Sequence, residues 1–199
     1  MDNVYTMSDV RNDAGFAVLH RLRLRGFEPA EDERGYDAFV DDGLVVVERG
    51  RARLTPAGRE VHARWAMADE GSAAADAAAT AYTRFQPANE RLLKVCHDWQ
   101  IARGGIPNDH SDPGYDDRVI GRLRSVHSSA VRILDDLVPA IPRFTDYAPR
   151  FEAALMKLDA GGREWFASPA CDSYHTVWMQ FHEDLLLAAG RSRAAEPLH

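Results

Sequence analysis

Cysteine is scarce: Cys96 and Cys171 are the two in 199 residues. That is too few for a disulfide framework or a Cys-rich zinc site, so each is read as a small buried hydrophobe, in keeping with a reducing cytoplasm. Long apolar runs are missing as well. The longest are short pieces such as Leu44 to Val47 and Leu185 to Ala189, well below the length of a membrane span. The opening MDNVYTMSDV has no basic start followed by an apolar stretch, so no secretory leader is expected. Lysine is limited to Lys94 and Lys157, the other cations being arginine, and the formal net charge is −7. An acidic chain does not coat nucleic acid or anionic membrane by bulk electrostatics, although a local basic surface remains open to it.

Catalytic and metal signatures are also lacking. There is no G-x-S-x-G, P-loop or G-x-G-x-x-G, and His182-Glu183 lacks the HExxH spacing. The stretch Asp109 to Ile120 lacks the acidic fifth position and terminal Glu of an EF-hand. No metal and no cofactor is therefore expected, and no residue is assigned a catalytic role.

What is present divides into two parts. Ser8 can cap a helix reaching to about Leu24, with Val10, Ala14, Val18 and Leu22 on one side. A short helix is read from about Arg34 to Asp42 and stops at Gly43. Leu44 to Val47 is β-branched and apolar, Arg49-Gly50 makes a turn, and Arg51 to Leu54 returns in alternation. Thr55 then caps a helix with Pro56 at its first position, running on through Val61, His62 and Trp65. Helix, helix, two-stranded hairpin and helix is the order of a winged helix, placed at residues 1–66.

The segment DGLVVVERGRARLTPAGREVHARW resembles the wing and following helix of MarR-like and PadR-like regulators, on Gly43, the hairpin and Leu54 to Gly58. The resemblance covers about a third of the chain. It implies a homodimer in which a helix enters the major groove of DNA while the wing, here Arg49, Arg51 and Arg53, meets phosphate. The recognition region reads differently. Between Phe27 and Gly43 stand seven acids against Arg34 alone, and residues 1–66 hold 10 arginines and 12 acids, a charge pattern that repels phosphate. A module kept for protein contact or dimerisation is the competing reading.

Residues 67–83, alanine-rich after Glu70-Gly71-Ser72, read as a helical linker with a hinge near Gly71. Residues 84–199 read as an all-α bundle with helices at about Thr83–Ala102, Tyr115–Leu137, Thr145–Asp159 and Asp172–Ala189. Polar groups fall on their apolar faces. His127 interrupts an aliphatic stripe, and His175, Trp178 and His182 share one side of the last helix. Asp172 and Tyr174 stand at its start, where backbone N–H groups favour an anion. A dense loop carries Asn108, Asp109, His110 and Asp112.

These residues, with Trp99 and Gln100, are the expected lining of one pocket for a small polar or anionic ligand. Each also fits a structural role: inward histidines as core histidines with satisfied partners, Asp172 and Asp112 as helix caps, the tryptophans as core. The runs CHDWQ, PNDHSDPGYDDRVIGRL and CDSYHTVWMQFHEDLL resemble the helical segment that follows a winged helix in some actinobacterial proteins, including ones joined to pyruvate phosphate dikinase or phosphoenolpyruvate-utilising modules. That resemblance implies a sensory or accessory role. The leading expectation is a cytoplasmic, ligand-responsive transcriptional regulator. The alternative is an enzyme or accessory protein whose site lies in the bundle, with the N-terminal module as scaffold.

Overall fold

The computed structural model describes residues 13–30, 35–102 and 104–193, so Ser8 and Val10 lie outside the described residues. The chain is mainly helical and divides into two compact units. Among the described residues, one holds those up to Ala68 together with 190–193, and the other those within Asp69–Ala189.

In the first unit, α1 (Asp13–Arg25) is followed by β1 (Glu28–Pro29), α2 (Asp37–Asp41), β2 (Val45–Glu48), β3 (Arg51–Leu54) and α3 (Pro56–Ala66). The expected two-stranded hairpin is a three-stranded antiparallel sheet in the order β1-β3-β2. Glu28 pairs with Ala52 and Pro29 with Arg51. The sequence conceals β1 because it is two residues long and contains a proline, which is tolerated only at an edge. Between β2 and β3, Arg49 and Gly50 have φ of 51° and 69°. Two successive positive φ values make the turn whose twist matches the strands it joins.

Leu19, Leu22, Phe39, Val45, Ala52 and Leu54 form this unit's core. Thr55 fastens α3 to the strand before it. Its hydroxyl accepts from the Gly58 N–H at 3.0 Å and donates to the Gly43 carbonyl at 2.7 Å.

The second unit contains α4 (Ala73–Gln100), α5 (Pro113–Leu137), α6 (Tyr147–Asp159), α7 (Glu164–Ala167) and α8 (Tyr174–Ala188). The alanine-rich stretch expected as a linker is the beginning of α4. Ser72 caps that helix by accepting from the Ala75 N–H at 3.1 Å, and the helix runs on for 28 residues with Pro87 inside it. Gly71, at φ +74°, stands before the cap. Phe85, Leu92, Leu123, Phe144, Phe151 and Trp178 belong to the core of this unit. Phe181 sets its ring edge-on to Phe85, Phe144, Phe151 and Trp178, the arrangement aromatic quadrupoles favour. Among the described residues no helix is long and apolar enough to cross a membrane.

Candidate functional site

The end of α4 folds back on itself. Gly104 and Gly105 take φ of +89° and +79°, conformations cheap only for glycine, and Ile101 pairs with Pro107 in an antiparallel bridge. This return brings Asn108 onto the terminal turn of the helix, where its N–H bonds to the Gln100 carbonyl at 2.8 Å.

Asn108 then uses its whole side chain. Nδ2 donates to the Trp99 carbonyl and to Asp116 Oδ1, each at 3.0 Å, and Oδ1 accepts the His110 N–H at 3.1 Å. His110 is held at φ +60°, a left-handed conformation that costs a residue bearing a Cβ. Its Nδ1 lies 3.1 and 3.0 Å from the two oxygens of Asp116, a carboxylate that is itself buried. A carboxylate accepts, so Nδ1 carries the hydrogen, and Nε2 has no protein partner among the described residues. Beneath the imidazole lies Trp99 at 4.4 Å, stacked in turn on Phe166 at 4.3 Å. Arg163 Nη2 donates to the His110 carbonyl at 2.9 Å. Asp112 caps α5 by accepting from the Tyr115 N–H at 3.0 Å, and Asp109 is an exposed turn residue accepting from the Ser111 N–H.

Two clefts open on the two faces of α5, and neither is lined by Asn108 or His110. Tyr115, Arg118 and Arg122 share one, and with Lys94, His97 and Asp98 of α4 they line a cleft of about 590 Å³. Asp116, Asp117 and Arg124 share the other. With Trp99, Asp159 and Arg163 they line a cleft of about 510 Å³, in which Arg124 is paired to Asp159 at 2.6 Å.

The remaining expected ligands fall elsewhere. Trp178 is wholly buried, stacks on Phe85 at 5.0 Å and donates Nε1–H to Asn89 at 2.9 Å. His182 is buried with its ring 4.6 Å from that of Phe85. Phe85 and Trp99 are 14 residues apart on α4, about 21 Å along the axis, so the two groups lie towards opposite ends of the helix. The expectation of one pocket joining His175, Trp178 and His182 to the Asn108–Asp112 loop is thus corrected. Neither cleft is lined by those three residues. Gln100 contributes its carbonyl.

Ser173, rather than Asp172, caps α8, and Asp172 pairs with Arg150 at 3.2 Å. Tyr174, expected near a pocket mouth, is fully buried 4.9 Å from the Phe151 ring. His127 lies edge-on to Phe151 and Tyr174, and its Nε2 is 3.3 Å from Glu152.

In the first unit Arg49 is exposed at the hairpin turn, Arg53 pairs with Glu48 at 2.9 Å, and the Arg51 guanidinium lies 4.6 Å from the centre of the Phe27 ring. Glu28, one of the seven acids, is buried with Arg21 and Arg25 each at 3.2 Å and the Tyr36 hydroxyl at 3.1 Å. Asp37, Asp41 and Asp42 are exposed, while residues 31–34 lie outside the described residues.

Sequence reasoning missed Asp116, Arg163 and Phe166 at the loop network, and Asp184 in the core. A carboxylate in the first turn of a helix reads as a dipole partner facing solvent, and nothing local announces that a loop histidine will cover it.

Burial lowers the pKa of His127, against an opposing pull from Glu152, and burial lowers that of His175. Their unfolded values lie near 6.5. As pH falls through that value the unfolded chain takes up protons that the folded chain refuses, so stability is lost from about pH 7 downward through the folded values. The midpoint of urea unfolding should therefore fall between pH 7 and pH 5 less in His127→Phe/His175→Gln than in the wild type. Equal falls would remove both histidines from the acid response. At the other end, burial pushes the Cys96 thiol up to about 11.

The chain matches no protein-family model, no curated protein and no solved structure at a significant level.

Proposed function

We propose that this chain is a small-molecule-responsive binding protein. Its helical unit takes a polar ligand at the end where α4, α5 and the Asn108–Asp112 loop meet, and its N-terminal unit is a winged-helix type module that contacts a protein partner. The observation that carries the reading is the Asn108–His110–Asp116 network. It holds one imidazole in a costly backbone conformation, sets its Nδ1 against a buried carboxylate that lines the second cleft, and leaves Nε2 without a protein partner among the described residues. Strain of this kind persists where surrounding contacts over-determine it, and it gathers at ligand sites. Both clefts are of the size that accepts small metabolites.

Helix, strand, helix, hairpin and helix in this order support the winged-helix assignment. Protein contact is favoured over DNA contact because the helix described between β1 and β2 carries Asp37 and Asp41 at its ends, both exposed. A groove-reading helix presents several side chains to base edges and neutralises phosphate around them.

A second reading, a DNA-binding regulator, is favoured by Arg49 and Arg51, both exposed on the hairpin.

Thermal melting in the presence of small acids and phosphorylated metabolites tests the proposal. A compound that raises the melting temperature of the wild type by several degrees should leave His110→Gln unmoved. Equal shifts in both proteins, or none in either, would overturn it. Binding of duplex DNA at low salt, with a salt slope that flattens when Arg49, Arg51 and Arg53 are replaced by alanine, would move the N-terminal unit to the second reading.

A further inference from the structure

The cleft between α4 and α5 carries more cations than carboxylates. Its cations are Lys94, Arg118 and Arg122, and its one carboxylate is Asp98, in a protein with a formal net charge of −7. Arg122 donates to Asp98 at 2.5 Å, so that pair satisfies itself. Lys94 and His97 have no side-chain partner among the described residues, and Arg118 has only the face of Tyr115, 5.9 Å away. Lys94 is also one of two lysines in a chain that otherwise uses arginine, and the other, Lys157, lies over the Trp165 ring at 3.5 Å. Surface cations ordinarily spread among carboxylates. Here they converge on one concavity with a single, already paired carboxylate.

The backbone at this place is open as well. Gly121 lines the cleft, and a Cβ built on it would meet nothing within 4 Å, so ligand atoms can approach the α5 main chain. The Tyr115 hydroxyl donates to the Asp98 and Ile101 carbonyls at 2.8 and 3.2 Å. It thereby covers carbonyls at the C-terminal end of α4 that would otherwise repel an anion.

Resting on the loop-end reading given above, we infer that this cleft binds a small metabolite bearing two or more anionic oxygens, a phosphate ester or a polycarboxylate. Arg118 offers a planar fork to one oxygen pair, Lys94 a mobile point charge to another, and His97 a further ring nitrogen.

Isothermal titration of the full chain with inorganic pyrophosphate and, separately, with citrate tests this. The wild type should bind at least one of them, and raising the salt concentration should weaken binding. Lys94→Ala/Arg118→Ala should weaken it tenfold or more, while Arg132→Ala, an exposed cation of α5 outside the cleft, should not. Preference for pyrophosphate points to the phosphate class and preference for citrate to the carboxylate class. Unchanged affinity in the double variant would overturn the inference. Absence of binding by either anion at millimolar concentration, while some other compound still gives a His110-dependent thermal shift, would overturn the anion assignment and leave the loop-end reading standing. If neither signal is found, both fall.

Discussion

Replacing Asp184 by alanine should destabilise the helical unit by about 3–5 kcal/mol, the usual consequence of removing one partner from a buried ion pair. Asp184 lies on α8 with no exposure to solvent. It accepts from Arg143 Nε at 2.8 Å and from the Tyr147 hydroxyl at 3.3 Å. The Arg143 side chain is only 20% exposed, so the alanine variant takes the Asp184 carboxylate away from a largely desolvated guanidinium. Asp184→Asn keeps an acceptor and nearly the same volume and should lose clearly less. Unfolding by denaturant, followed by helical circular dichroism, reads both. An alanine variant within 1 kcal/mol of the wild type would show that water reaches Arg143 and that the pair contributes little.

The same seam continues from the 3-10 turn Pro142–Phe144, which holds Arg143, into α6. Arg150, seven residues beyond Arg143, donates to Gln180, four residues before Asp184, at 2.5 Å. Ascending positions on one side meet descending positions on the other, as antiparallel packing requires. Sliding α8 by one turn would carry Asp184 about 5.4 Å from Arg143 and part both contacts at once. Apolar contacts between Phe151, Trp178 and Phe181 tolerate such a slip better than directional bonds do. The polar seam thus helps fix the register that places Asp172 beside Arg150.

The helices were legible because burial imposes a period. Val119, Leu123, Val126, Ala130, Leu134 and Leu137 recur at three- and four-residue intervals, and all are buried on α5. The hairpin was legible because its turn needs positive φ and Gly50 supplies it. The partners of each face were not. His175, Trp178 and His182 do share one side of α8, but periodicity tells which side is inward and not what it meets. Trp178 meets Phe85 and Asn89, far from the loop. The loop network was half visible. Asn108, His110 and Asp112 stood out by their density, whereas Asp116 became part of the site only through a left-handed residue that turns His110 back over the helix start. The basic cleft escaped for a related reason. Lys94 and Arg118 are 24 residues apart, and only the antiparallel packing of α4 on α5 brings their faces to one concavity.

Replacing Gly58 by alanine should unfold or strongly weaken the N-terminal unit, by about 3 kcal/mol, at the upper end of what overpacking ordinarily costs. A Cβ at this position would stand 2.0 Å from the Leu44 carbonyl oxygen and 2.9 Å from its carbon. These are backbone atoms, so no side-chain rotation relieves the overlap. The Leu44 carbonyl also accepts from the Thr55 N–H at 3.0 Å, and Leu44 leads directly into β2, whose Val45 pairs with Leu54 of β3. Moving it therefore disturbs the hairpin and the start of α3 together.

This accounts physically for a glycine two residues into a helix, where propensity alone would prefer alanine. The segment Leu54-Thr55-Pro56-Ala57-Gly58 works as a unit. Thr55 caps, Pro56 presets the first turn, and Gly58 lets the helix backbone lie against the residue before β2. Ala57→Gly, one position earlier at an exposed site, is the control and should lose less than 1 kcal/mol, the ordinary glycine cost in a helix. Thermal unfolding in a background that keeps Trp65 as the sole tryptophan of the four, followed by fluorescence, reports on this unit. If Gly58→Ala melts with the wild type, the close approach of α3 to Leu44 is not what holds the glycine in place.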